Sequence, residues 1–266
     1  NWNTSNVTNM DYMFYSAPKF NQPLNFDTSK VTSIEGMFCS AEKFNQPLNF
    51  DTSNVTSMTS MFAYAKKFNQ DISSWNICNV TCLESMFFNA ESFNQSLNNW
   101  NTSNITNMSE MFSYAKEFNQ PLNNWNVSNV TNMDYMFYEA KNFNQNISSW
   151  DISNVINMVS MFYGTREFNQ NISNWNLENI EDLNEIFEEA KAFIKKYNSD
   201  KPLPEDTKEI KNWFNLNRER MNMIDIKEKH GKEVDDFFSN ITDIHFTNGI
   251  GLHNNIHSLP ISIPRM

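Results

Sequence analysis

Phe-Asn-Gln returns seven times, starting at Phe20, Phe44, Phe68, Phe93, Phe118, Phe143 and Phe168, a spacing of 24 or 25 residues. A period of that size corresponds to one small supersecondary unit per repeat, so the chain is expected to stack units rather than to build a globule around one cleft. The copy from Pro121 to Gln145 carries apolar residues at Leu122, Trp125, Val127, Val130, Met133, Met136, Phe137, Ala140 and Phe143. Trp125 and Val127 alternate with polar neighbours, which predicts a short strand. Val130, Met133, Met136, Phe137 and Ala140 fall at three- and four-residue steps, which predicts a short helix, with Ser128 and Asn129 as its capping residues.

Two early repeats are one residue shorter: Leu24-Asn25-Phe26 stands where a later copy reads Leu122-Asn123-Asn124-Trp125. The extra residue predicts a bulge that keeps both the leucine and the aromatic inside. A unit this small cannot bury nine apolar side chains alone, so stability must come from the interfaces between copies. Asn21, Asn45, Asn69, Asn94, Asn119, Asn144 and Asn169 recur at one place in the repeat, which predicts an asparagine ladder bonding turns within and between layers.

The string W-N-V-S-N-V-T-N-M-x-x-M-F-x-x-A-x-x-F-N-Q resembles the BspA-like leucine-rich-repeat surface proteins of bacteria, over Asn1 to about Phe193. The resemblance implies an α/β leucine-rich-repeat-like solenoid, with one short strand and one short helix per repeat, placed at the cell surface or secreted. It also implies adhesion or other protein contacts, with a host or matrix protein as partner. It supplies no catalytic residue.

Where the repeats stop, the composition changes. Residues 1–190 hold 20 acidic against 8 basic residues, and those from Lys191 onward 11 against 12. We therefore expect a solenoid of about eight repeats over 1–198, its last copy degenerate, and a C-terminal helical cap with a loosely ordered tail over 199–266. A longer helix over Ile180 to Tyr197 should close the stack, its first turns acidic and its last basic in keeping with the helix dipole. A short helix near Glu205 to Asn217 and a segment from Lys232 to Ile241 should follow. Asn1-Trp2 begins in mid-repeat, which reads as a fragment with repeats or a cap upstream.

An acidic array disfavours nucleic acid as a partner. The chain has no apolar run long enough to insert in a membrane. Cys39, Cys78 and Cys82 are too few for a disulfide framework. The histidines, His230, His245, His253 and His257, lie beyond the repeats without ligand spacing, so no metal and no cofactor is expected. Carboxylates vary from copy to copy and mark no acid-base pair, so the expectation is a protein without enzymatic activity.

The candidate partner surface consists of rings at variable positions around Met-Phe: Tyr12, Tyr15, Tyr64, Phe88, Tyr114, Tyr135, Tyr138 and Tyr163. Amphipathic rings in a row suit contact with protein, and carbohydrate is possible. Flank-to-flank packing of neighbouring repeats would use the same residues. An intracellular repeat scaffold is the remaining alternative.

Overall fold

The computed structural model describes residues 2–231. The chain divides into two compact units, Asn1–Asn222 and Met223–Met266. The expected segment from Lys232 to Ile241, with His245, His253 and His257, lies outside the described residues.

In place of a helix, each Met-Phe run forms consecutive turns. Tyr135 and Glu139 have positive φ (56° and 54°), and residues at equivalent places do so in every copy, among them Tyr12, Ser16, Gly36, Ser40, Glu185 and Glu189. A left-handed residue every fourth position stops an α-helix from propagating. The backbone bonds then alternate in direction. Met136, Tyr138 and Ala140 N–H donate three residues back, to the carbonyls of Met133, Tyr135 and Phe137, whereas Met133, Tyr135, Phe137 and Glu139 N–H donate to Asn157, Val159, Met161 and Tyr163 of the next copy.

These bonds overturn the expected α/β leucine-rich-repeat-like arrangement. Among the described residues there is no strand, and β-pairing between copies is limited to isolated parallel bridges such as Asn107 with Asn132. Helices α1 (Lys191–Asn198) and α2 (Thr207–His230) both follow the repeats. The three- and four-residue apolar spacing is real, and Val130, Met133, Met136, Phe137 and Ala140 are all buried, but linked turns point them inward as a helix would. Ser128 and Asn129 cap nothing helical. Ser128 N–H donates to Asn126 Oδ1 and Asn129 Nδ2 donates to Ser103 O of the previous copy. Trp125 and Val127 alternate inward without pairing as strands, because Trp125 N–H closes a turn onto Leu122 O. That turn also absorbs the extra residue of the long repeats. From Ile180 to Ala190 the chain makes an eighth run of turns, so α1 holds only the end of the longer helix expected there.

Stacked phenyl rings fill the interior. Phe14, Phe38, Phe62, Phe87, Phe112, Phe137, Phe162 and Phe187 form one column with centroids 5.4–5.9 Å apart. Phe20 to Phe193 form a second column at 5.7–6.2 Å. Within each copy the two columns meet at 3.8–4.3 Å. Along one edge the asparagine ladder runs as expected: Asn119 Oδ1 accepts from Asn144 N–H at 2.9 Å and from Gln145 Nε2 at 2.8 Å, and the other copies repeat the pair. Indole N–H groups add another file, with Trp125 Nε1 donating to Leu97 O at 2.9 Å and Trp150 Nε1 to Leu122 O at 3.1 Å.

α2 starts where Asp206 Oδ1 accepts from Glu209 N–H, an N-cap bond. It lies on the last copy. Phe214 stacks on Phe187 at 5.8 Å, and Ile210 and Met221 are buried with it. Arg218 donates to the carbonyls of Ser173 and Trp175 at 2.9 and 2.8 Å, which satisfies acceptors left over at the end of the stack.

Phe137 sits in both the ring column and the turn ladder, so Phe137→Ala is expected to cost about 3–5 kcal/mol. Asn119→Ala strands a backbone donor and should cost about 1–3 kcal/mol. The exposed Asn142, changed to alanine, should cost under about 0.5 kcal/mol. Denaturant unfolding of the three variants checks this order, and equal small losses would contradict the stacking.

Candidate functional site

Five candidate rings form one file over five successive copies. Tyr64 meets Phe88 at 5.1 Å, Phe88 meets Tyr114 at 5.8 Å, Tyr114 meets Tyr138 at 5.3 Å and Tyr138 meets Tyr163 at 4.7 Å. Tyr135 joins from the side, 5.8 Å from Tyr138. The turn geometry explains how they converge. Tyr64 and Tyr114 are left-handed residues two places after the core phenylalanine, whereas Phe88, Tyr138 and Tyr163 follow it directly, and the intervening φ reversal brings both positions to the same flank. Tyr64 and Tyr135 are exposed, and the other four are half-buried.

Tyr12 and Tyr15 stand apart as an edge-on pair at 5.9 Å in the first copy. The Tyr12 hydroxyl bonds Glu35, and its ring covers Gly36, where a Cβ would come within 2.4 Å of Cε1. Glycine is needed there both for that close approach and for its φ of 54°. The sequence groups all eight rings together; the structure joins six of them.

Carboxylates surround the file. Burial, a hydrogen bond with Tyr114 and neighbouring charge push the Tyr138 hydroxyl up to about 12. Tyr163 is raised chiefly by the charge of Glu188, and Tyr135 by burial and then by Asp134 and Glu185. Half-buried Asp134, whose Oδ1 accepts from Val159 N–H at 2.8 Å, is pushed above the usual carboxylate range by burial. Sequence reasoning missed this acidic border because its members sit at different repeat positions and come together only through stacking. His230, at the end of α2, is exposed.

A model of the family described as "Mycoplasma protein of unknown function, DUF285" matches residues 1–100, 24–125, 83–201 and 115–237 in overlapping stretches. No curated protein and no solved structure matches the chain. Among the described residues no helix is long and apolar enough to cross a membrane.

The raised Tyr138 hydroxyl gives a test in alkali. Its folded value lies above the ordinary value near 10, so the associated stability is complete below pH 10 and is lost as pH rises through about 12. Tyrosinate absorbance should show a late-titrating component that Tyr138→Phe reduces and that Tyr138→Phe with Tyr12→Phe reduces further, because the bond to Glu35 also pushes the Tyr12 hydroxyl up to about 12. The Tyr138→Phe variant should also lose stability less steeply over that interval.

Proposed function

Starting from a chain that belongs to the DUF285 family of mycoplasma repeat proteins, we propose that it is a non-enzymatic adhesion or interaction module, displayed at the cell surface or secreted, which binds a host or matrix protein across the aromatic file. The resemblance of its repeat to BspA-like surface proteins points the same way.

The observation behind this reading is that the core is complete beneath the file. The paired phenylalanine columns already close each layer, and the copies that read Cys39-Ser40 and Glu188-Glu189 after the core phenylalanine carry no ring at either place of the file. Packing therefore does not require a ring at that position. Large half-exposed amphipathic rings in continuous contact are the residue type that concentrates binding energy in protein interfaces. Carbohydrate fits less well. Sugar stacking calls for coplanar exposed faces, and successive rings here are tilted by 59°, 71° and 59°, while Tyr138 and Tyr163, only 11° apart, stack on each other.

Changing Tyr135, Tyr138 and Tyr163 together to serine tests the proposal without disturbing the backbone, since serine already stands at equivalent places as Ser60, Ser85, Ser113 and Ser160. Retention of the purified variant on host cells or on a matrix preparation should fall at least about tenfold, the size of a lost aromatic anchor. The melting temperature should change little. Undiminished retention with a sharp fall in melting temperature would assign the rings to packing.

A further inference from the structure

The peptide groups of the Met-Phe runs line up along the stack. Phe14 N–H donates to Met37 O, Phe38 N–H to Met61 O, and so on through Phe162 N–H to Ile186 O; a parallel column runs from Ser16 to Gly164, whose N–H donates to Glu188 O. Every donor in both columns points toward the C-terminal copy. At that end Phe187 N–H and Glu189 N–H meet no acceptor among the described residues.

The described residues cover only the other half of this edge. Leu183 N–H donates to Thr207 Oγ1 at 2.9 Å and Glu185 N–H to Glu205 O at 3.1 Å. Continued antiparallel, that register would bring Leu203 and Lys201 to Phe187 and Glu189. Instead the carbonyls of Lys201 and Pro202 accept from Asn198 Nδ2 at 2.8 and 3.0 Å. A cavity of about 460 Å³ remains, with Phe187, Glu188, Glu189, Pro202, Leu203 and Glu205 among its lining residues.

Its chemistry is selective. Two backbone donors end columns of aligned amide dipoles and call for carbonyl acceptors, since dipoles in series reinforce one another as they do in a helix. The carboxylates of Glu185, Glu188, Glu189 and Glu205 line the same cavity and repel an anion. Among them Glu188 is raised above the usual carboxylate range by burial and by the charges of Glu185, Glu205 and Glu189. Lys191, the cavity's one cationic side chain among the described residues, lies 3.4 Å from Glu189 and offsets part of that charge. An occupant must therefore bring carbonyls and positive charge together. We propose that this slot binds an extended lysine- or arginine-bearing peptide segment of a partner protein, whose carbonyls accept from Phe187 and Glu189 N–H while its cations meet the rim. This is strand addition transferred to an edge of turns. It stands independently of the aromatic file.

The test uses the full chain labelled with nitrogen-15 and the acetylated, amidated octapeptide of alternating lysine and valine as probe. Binding should shift the Phe187 and Glu189 amide protons downfield and slow their exchange, and Glu188→Gln with Glu189→Gln should weaken it about tenfold by removing charge complementarity. The serine variant of Tyr135, Tyr138 and Tyr163 should bind the probe as the parent does. Absence of binding at millimolar probe, equal binding of the glutamate-valine counterpart, or unmoved Phe187 and Glu189 amides would each overturn the proposal. Loss of binding in the tyrosine variant alone would instead place the peptide on the aromatic file and refute the slot.

Discussion

Everything in this stack depends on the hydrogen bonds that run from one copy's Met-Phe run into the next. A left-handed non-glycine residue costs about 1–2 kcal/mol, and each copy holds two such positions, most of them occupied by serine, tyrosine, asparagine or glutamate. An isolated repeat would relax to a helix or to coil. Only a neighbouring copy, accepting every second N–H while the rest close turns, offers all the backbone donors of the run a partner at once. The ring columns then follow from the backbone, because the ladder fixes the spacing at which phenyl faces meet.

This dependence explains what was legible in the sequence. The period, the inward residues and the asparagine ladder could be read, since each is a statement about which side chains recur together. Secondary structure could not. Val130, Met133, Met136 and Phe137 have helical spacing, but so does a chain of linked turns that shows one face to a core. The distinguishing signal lies in backbone torsion at Tyr135 and Glu139, and neither residue type announces a left-handed conformation as glycine would. Gly36 and Gly164 occupy the same two places in other copies and are the one visible hint.

The surface was legible in part for a related reason. Sequence position identifies Tyr64 and Tyr138 as variable, but they stand at different offsets from the core phenylalanine. A helical wheel would put them on separate flanks, whereas the φ reversal at Tyr64 and Tyr114 returns their rings to the flank that Phe88 and Tyr138 share. Tyr12 and Tyr15 repeat the edge-on arrangement of Tyr135 and Tyr138, and are cut off from the file because the next copy has Cys39 and Ser40 where a ring would continue it.

A ladder with one polarity has unlike ends, and that asymmetry shapes how such a chain can be closed. At the C-terminal copy the outward groups of the Met-Phe run are donors, so whatever covers that edge must present acceptors: Thr207 Oγ1 and Glu205 O do so for half of it. Carbonyls of that copy at Ser173 and Trp175 take the guanidinium of Arg218 instead. α2 and the segment before it therefore cover part of the end by matching donors with acceptors, while Phe214 extends the ring column by one further face. Another repeat could replace that cover without altering the copies beneath it. Repeat number is thus free to vary where the closing segment keeps this donor and acceptor pattern, and a mismatch in polarity, more than any loss of apolar area, is what would prevent an end from being sealed.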